Sequence, residues 1–176
     1  MTYKIYANIL CNNAISINLN IKSSNSICSQ LNLPSSQSKL SQLGFKTEQT
    51  INQYIETHKD VLNLKTIYPK IGPHQIDVLF KYKNIIYYFE SKNNMKLDTE
   101  KSIKSYDKLK YIKKFLTKKY KSNKIVCKFL NMWMYNSNNM NYIKLPIRKN
   151  NVFGYNDFFS IFNIHVTNNE YKKLLN

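Results

Sequence analysis

The sequence predicts an α/β fold, because helical and strand-like patterns alternate along the middle of the chain. Apolar residues recur at helical spacing over 38–62 and again over 98–120. Between these segments lie two apolar runs with strand character, 74–82 and 85–91. A further apolar run at 124–135 predicts a buried strand. The resulting order of helix, strand, strand, helix, strand is typical of a layered α/β domain.

Length and composition indicate one soluble domain. The 176 residues suffice to bury a core, and a hydrophobic content of 43% with 14 Tyr, 9 Phe and 1 Trp excludes a disordered basic tail. No apolar run approaches the roughly 20 residues that cross a bilayer. The first residues are too polar for a secretory signal, so we expect a soluble, intracellular protein.

The charge balance favours a polyanionic partner. The chain carries 27 Lys and Arg against 10 Asp and Glu, a formal net charge of +17. Arg148 is the single arginine, and the abundance of Asn, Ile, Lys and Tyr indicates an A/T-biased genome that inflates the lysine count. Nucleic acid is the leading partner, since lysine-rich surfaces bind phosphates by releasing counterions. An anionic membrane surface is the alternative, but no basic amphipathic anchor helix stands apart.

Several common chemistries find no support in the sequence. The cysteines and histidines are too scattered for a disulfide framework or a zinc site: Cys11, Cys28, Cys127, His58, His74 and His165. Packing or surface roles are the simpler interpretation for all six. There is no phosphate-binding glycine loop, which argues against nucleotide hydrolysis and dinucleotide chemistry.

The regions flanking the core have weaker patterns. Residues 1–37 are rich in Ser and Asn and predict a strand or loop extension. After the core at 38–135, a short edge strand is predicted at 143–147 and two short helices at 155–175. We find no internal repeat or linker, so the chain is interpreted as a single domain.

The hairpin brings three charged residues together. If Lys83-Asn84 forms a two-residue turn, Asp77 in the first strand lies opposite Glu90 in the second. Glu90 and Lys92 share a face because side chains alternate along a strand. Two carboxylates and one ammonium are therefore predicted on one patch of the sheet.

This patch has the composition of a metal-dependent hydrolytic site. Opposed carboxylates repel each other unless a cation lies between them, and two carboxylates can hold Mg²⁺. Lys92 could orient or help to deprotonate a water for phosphodiester hydrolysis. The alternative is that Asp77 and Glu90 are ordinary hairpin charges, with Glu90 paired to Lys92 or to a neighbouring lysine. The scarcity of acids weighs against that alternative.

A third carboxylate lies on the preceding helix. Phe45, Glu48, Ile51 and Ile55 fall at spacings of three and four, which predicts that Glu48 shares the stripe facing the core. The simpler interpretation is that Glu48 lies at the edge of that stripe and points outward. Packing of this helix beside the hairpin would favour a role in the site.

The residues described above carry a resemblance to a known family. Asp77, a spacer of 12 residues and Glu90-Ser91-Lys92 at the end of a strand resemble the PD-(D/E)XK nuclease superfamily. The resemblance covers roughly 38–135 and includes the order of helices and strands. Ile76 replaces the proline of the motif's name, a common departure that leaves the chemistry intact.

The resemblance implies a restriction-endonuclease-like core, in which a central mixed β-sheet is flanked by helices. Glu90 and Asp77 would bind Mg²⁺, with Mn²⁺ as a substitute. Lys92 would position and activate the water, and Glu48 would assist the metal site. Hydrolysis would leave a 5′-phosphate and a 3′-hydroxyl.

The resemblance also implies a function and a partner. Within the superfamily, the run FESKNNMKLDTEKS (89–102), where the ExK motif leads into a polar loop and a capped lysine-rich helix, resembles the type II restriction endonucleases. The resemblance therefore implies double-stranded DNA as the substrate and a homodimer that would cut both strands. Residues 38–135 would be the catalytic core of a single nuclease domain, and 136–176 would supply DNA-recognition elements. A Holliday-junction resolvase or repair nuclease is the enzymatic alternative. A non-catalytic, basic nucleic-acid-binding protein is the alternative from another class.

Candidate DNA contacts come from three segments: the turn before Asp77, the lysine-rich second helix and the segment around the single arginine. An ordinary turn, a solvated helix face and a surface loop are the respective alternatives. The candidates are Lys70, His74, Gln75, Lys101, Lys104, Lys108, Arg148 and Lys149.

Overall fold

The structure is a computed structural model that describes residues 37–95, 97–139 and 145–175, together with 9 and 12. The extension predicted over 1–37 therefore lies almost wholly outside the described residues. No helix in the described part of the chain is both long and apolar enough to cross a membrane.

The described residues form four α-helices and seven strands. The helices are α1 (Gln37–Glu56), α2 (Thr99–Lys119), α3 (Tyr155–Ser160) and α4 (Asn168–Leu175). The strands are β1 (Val61–Asn63), β2 (Lys70–Ile71), β3 (His74–Gln75), β4 (Val78–Tyr82), β5 (Ile85–Ser91), β6 (Lys124–Leu130) and β7 (Val152–Phe153).

Five of the strands form one mixed sheet in the order β1-β4-β5-β6-β7. The pairs β1–β4 and β4–β5 are antiparallel, whereas β5–β6 and β6–β7 are parallel. The crossover from β5 to β6 runs through α2, as a parallel connection requires. Strands β2 and β3 form a separate two-stranded hairpin.

Helices cover both faces of the sheet, which confirms the predicted α/β fold with a mixed sheet flanked by helices. On one face, α2 packs Leu109, Ile112 and Leu116 into a buried cluster with Leu79 and Ile86 of the sheet. On the other face, α1 and α3 contribute to a second cluster rich in aromatic side chains. Its members include Ile51, Tyr54, Val78, Phe80, Phe89, Trp133, Phe158 and Phe159.

The β4–β5 hairpin has the predicted register. Phe80 pairs with Tyr87 and Tyr82 with Ile85, across a two-residue turn in which Lys83 has φ 54. One prediction is wrong in detail, because β4 begins at Val78 and Asp77 lies just before it. The chain is not one continuous strand from residue 74, since β3 pairs with β2 in the other sheet.

Helix α1 ends earlier than its pattern predicts. It stops at Glu56, and residues predicted as its last turn instead form β1 along the edge of β4. The prediction that Phe45 faces the core is also wrong, because this residue is 60% exposed. Ile51 and Ile55 are buried as predicted.

Helix α2 is confirmed at both ends. Asp98 is its N-cap, and the carboxylate accepts the backbone N–H of Lys101 at 2.7 Å. Glu100 lies in the first turn, and the helix ends at Lys119. Its apolar stripe faces the sheet, so most of its lysines point into solvent.

The C-terminal predictions are confirmed only in part. Strand β6 ends at Leu130 rather than 135, because the Asn131 side chain accepts the N–H of Trp133 and turns the chain. The predicted edge strand at 143–147 is wrong over 145–147, and its first two residues lie outside the described residues. The edge strand is instead β7. Helices α3 and α4 match the two predicted over 155–175.

Candidate functional site

The carboxylates of Asp77 and Glu90 lie together at one end of the sheet, on the face covered by α2. The β4–β5 register puts the two residues opposite each other, one position beyond the last ladder pair. The Oδ2 atom of Asp77 accepts the backbone N–H of Ser91 at 2.9 Å. This hydrogen bond fixes the Asp77 side chain across the end of β5.

Glu90 is buried and held by two groups of its own segment. Its side chain is 5% exposed, and Oε1 accepts from the ammonium of Lys92 at 2.8 Å. Oε2 accepts the phenol hydroxyl of Tyr88 at 2.7 Å. The alternation of β5 puts Tyr88 and Glu90 on one face, and Lys92 follows directly after the strand ends at Ser91, so this short segment builds this part of the site.

A second lysine reaches the carboxylates from α2. The Nζ atom of Lys108 lies 2.5 Å from Glu90 Oε2 and 3.4 Å from Asp77 Oδ1. Its side chain is 16% exposed. Lys108 therefore contacts both acids at once, and the two carboxylates face a common point.

The backbone of Asp77 is anchored from the opposite side. Its carbonyl oxygen accepts from Lys65 Nζ at 2.8 Å and from Asn52 Nδ2 at 3.1 Å. Lys65 also pairs with the carboxylate of Glu48, and Asn52 donates to the Glu48 carbonyl. Glu48 is thus linked to Asp77 through Lys65 and Asn52, and its carboxylate is not in contact with those of Asp77 and Glu90.

The two carboxyl groups have opposite pKa shifts. Burial and then the charge of Glu90 raise the pKa of Asp77 to about 6, against the opposing pull of Lys108. Burial also acts to raise the pKa of Glu90, but Lys92 and Lys108 outweigh it and hold that pKa below its usual range. Asp77 is therefore the carboxyl that takes up a proton first. Pairs of acids with separated pKa values are common at functional sites.

The donor set suits one hard divalent cation. Two carboxylates that already share one ammonium present oxygens to a common point, and oxygen is the ligand that Mg²⁺ prefers. Mg²⁺ commonly binds through one or two carboxylates and keeps several waters. Among the described residues, no group of three or more His, Cys, Asp or Glu could hold a metal. The fit therefore rests on Asp77 and Glu90.

The predicted DNA contacts are distributed around this site. Lys70 and Gln75 are exposed on the β2–β3 hairpin, where the His74 ring lies 5.1 Å from that of Tyr111 on α2. Tyr111 is one turn after Lys108. This hairpin therefore lies beside the segment of α2 that carries Lys108.

The remaining candidates divide into two groups. Lys101 and Lys104 are 70% and 74% exposed and pair with the N-cap Asp98 and with Glu100 in the first turn of α2, respectively. Arg148 and Lys149 are exposed next to β7, which pairs with the end of β6. Among the described residues, no ion pair joins any of these four to Asp77 or Glu90.

The sequence interpretation missed three residues of the site. Tyr88 could have been found by alternation, because it is two positions before Glu90 on the same strand. Asn52 lies one helical turn after Glu48 and could have been found from that spacing. No local sequence pattern points to Lys65, because it lies in the connection after β1 and tertiary packing alone brings it to Asp77.

Comparison of the chain with family models, with curated proteins and with solved structures found no match.

Proposed function

We propose that this chain is a Mg²⁺-dependent DNA endonuclease that hydrolyses phosphodiester bonds of double-stranded DNA. The single observation that carries the proposal is the convergence of Asp77, Glu90 and Lys92 at one end of a mixed sheet. Two carboxylates that can hold a metal, with an ammonium beside them, suit metal-assisted phosphate hydrolysis. The restriction-endonuclease-like core is part of the same proposal.

The roles of the residues follow from their contacts. Asp77 and Glu90 hold the divalent cation, which supplies Lewis-acid stabilisation of the charge that develops on the phosphate. Lys92 is 26% exposed and pairs with Glu90, so its ammonium can orient the attacking water beside the carboxylates. Tyr88 fixes the Glu90 carboxylate, and Asn52 with Lys65 fixes the backbone of Asp77.

Glu48 has an indirect role in this proposal. Its carboxylate pairs with Lys65, which in turn contacts the Asp77 carbonyl. Its negative charge also adds to the raised pKa of Asp77. Glu48 therefore positions and tunes Asp77.

The basic surface of α2 supports a DNA substrate. Lys101, Lys104 and Lys108 are spaced by three and four residues, so they lie along one face of the helix. This row begins at the exposed first turn and ends at the carboxylates. With a net charge of +17, such a row can follow a phosphate backbone to the site.

The resemblance to type II restriction endonucleases supports the finer proposal of a homodimer that leaves 5′-phosphate and 3′-hydroxyl ends. Two copies related by a two-fold axis match the symmetry of a duplex cut on both strands. Arg148, Lys149 and their neighbours are the segment we assign to recognition. Mn²⁺ is expected to replace Mg²⁺.

One observation favours a second candidate function. The ammonium of Lys108 already contacts both carboxylates, as in a buried ion cluster that serves only structure. In that case the chain binds nucleic acid through its lysines and performs no hydrolysis. The two candidates differ in their dependence on metal.

Cleavage of DNA tests the proposal. The chain is incubated with supercoiled plasmid and with branched duplexes, in Mg²⁺ and in EDTA. We expect discrete plasmid fragments in Mg²⁺ alone, and a loss of about a hundredfold or more in Lys92→Ala. Lys114→Ala, an exposed lysine on α2, is the matched control.

Each other outcome of this assay has a defined meaning. Cleavage confined to branched DNA supports a junction-resolving nuclease. DNA binding without cleavage, unchanged in Asp77→Ala and Lys92→Ala, overturns the nuclease proposal and supports the non-catalytic candidate.

A further inference from the structure

Lys108 differs from the other lysines of α2 in its surroundings. Its side chain is 16% exposed, whereas those of Lys101, Lys104 and Lys110 are 60% or more exposed and pair with acids of the same helix or of its N-cap. Lys108 instead crosses to the sheet and contacts acids that are distant in sequence. It is therefore part of the acidic site, although it lies on the row of lysines along α2.

The Lys108 ammonium competes with a divalent cation for the position between the two carboxylates. Its Nζ atom lies within hydrogen-bonding distance of one oxygen of Glu90 and one of Asp77. Mg²⁺ binds carboxylate oxygens at about 2.1 Å. A divalent cation shared by the same two oxygens would lie on the point that the ammonium occupies. The two cations exclude each other by volume and by charge.

The two carboxylates need a cation for a physical reason. Both are largely withdrawn from water, with side-chain exposures of 17% and 5%, and like charges in such an environment destabilise the fold. Lys92 contacts Glu90 but has no contact with Asp77 among the described ion pairs. Lys108 is the cation that bridges the two acids in the described part of the chain.

We propose that Lys108 is a displaceable internal cation, which fills the position between Asp77 and Glu90 until a divalent metal expels it. This inference rests on the metal site of the proposed function and adds its regulation. The released ammonium joins Lys101 and Lys104 on the exposed face of α2, where it can donate a hydrogen bond to a DNA phosphate. Metal binding and DNA binding are then mutually reinforcing, because each stabilises the same displaced side chain.

Direct metal binding tests the proposal without any measurement of cleavage. Mn²⁺ is titrated by calorimetry into the full chain, into Lys108→Gln and into the control Lys114→Gln, which removes the same charge from an exposed position of α2. We expect Lys108→Gln to bind Mn²⁺ about tenfold tighter or more, and Lys114→Gln to match the wild-type chain. Asp77→Asn added to Lys108→Gln should abolish this gain.

A second measurement needs no substitution and covers the case in which Lys108→Gln does not fold. The wild-type chain is dimethylated at its lysines in Ca²⁺ or in EDTA, and Lys108 is followed by mass spectrometry relative to Lys114. We expect Ca²⁺ to increase labelling of Lys108 several-fold, because the expelled amine is exposed. Labelling that is unchanged or slower while the metal is bound overturns the proposal.

The outcomes separate this inference from the proposed function. Equal Mn²⁺ affinity in the wild-type chain and Lys108→Gln overturns the displacement and leaves the metal site standing. Absence of binding in both, with and without a DNA duplex, overturns the metal site and the displacement together. Wild-type affinity that rises with duplex DNA, and rises less in Lys108→Gln, supports the coupling.

Discussion

Tyr88 donates its phenol hydroxyl to Oε2 of Glu90 at 2.7 Å, across two residues of the same strand. Both residues are buried, so water cannot replace this hydrogen bond. The same oxygen also accepts from the ammonium of Lys108. The orientation of Glu90 is therefore set by a neutral donor of its own strand as well as by two lysines.

Tyr88→Phe tests the contribution of this hydrogen bond. We expect the free energy of unfolding in EDTA to fall by about 1–3 kcal/mol, because a buried charged acceptor loses a donor. Urea denaturation measures the difference. Tyr111→Phe, at a residue that is 47% exposed in the wild-type chain, is the control. A loss no larger than that of the control would show that Lys92 and Lys108 alone hold Glu90.

The raised pKa of Asp77 predicts a pH dependence of stability. The folded chain holds a proton on Asp77 up to about pH 6, whereas the unfolded chain releases it near 3.8. The folded state thus binds more protons between these values, so the contribution of Asp77 to the free energy of unfolding decreases as pH rises through this window. The total change is at most about 3 kcal/mol.

Comparison with Asp77→Asn isolates this effect. The free energy of unfolding of the wild-type chain in EDTA, minus that of Asp77→Asn, should decrease from about pH 4 to about pH 6 and stay constant above. The pKa of Glu90 is lowered, so its contribution to the free energy of unfolding has the opposite pH dependence. That contribution is present above the unfolded pKa of Glu90 and is lost as pH falls. Both proteins contain Glu90, so its contribution cancels in the difference except for its electrostatic coupling to Asp77. A difference that increases with pH would contradict the raised pKa.

Glu48 should matter less than Glu90 for cleavage, because it reaches Asp77 only through Lys65 and the helix backbone. We expect Glu48→Gln to reduce the cleavage rate by about tenfold or less, and Glu90→Gln by about a hundredfold or more. Glu56→Gln, an exposed residue of the same helix, should retain the wild-type rate. Equal losses in the first two variants would make Glu48 a direct participant in the metal site.

Gly72 is required by the turn between β2 and β3. Its φ is 58, and a Cβ atom there would lie 2.5 Å from the Tyr111 hydroxyl oxygen. We expect Gly72→Ala to lower the free energy of unfolding by about 1–2 kcal/mol. Adding Tyr111→Ala should recover the part caused by the clash. If Gly72→Ala lowers the free energy of unfolding by the same amount with and without Tyr111→Ala, backbone strain alone explains the destabilisation.

The sequence predicted the local parts of the fold and of the site. The Lys83-Asn84 turn and the alternation around it fixed the hairpin register, and with it the approach of Asp77 to Glu90. Asp98 predicted the start of α2 because an N-cap depends on neighbouring residues alone. These signals are carried by residues a few positions apart.

Long-range packing accounts for what the sequence did not predict. Lys108 reaches Asp77 across 31 positions, and no local pattern distinguishes it from the other lysines of α2. Val61 and Leu62 continue the helical spacing of α1, but the segment Val61–Asn63 forms a strand because it pairs with the edge of β4. Met132 and Trp133 follow β6 and are buried in the core. Their apolar run therefore has the pattern of a buried strand, although the chain turns there.

Cleavage of supercoiled plasmid by Asp77→Asn and Asp107→Asn tests the central claim most directly. Both substitutions remove one carboxylate, but Asp107 is exposed on α2 and paired with Lys110. We predict that the wild-type chain and Asp107→Asn cleave the plasmid in Mg²⁺ and not in EDTA, and that Asp77→Asn is slower by about a hundredfold or more. Equal rates for the two variants, or no cleavage of any DNA in Mg²⁺ or Mn²⁺, would contradict the account.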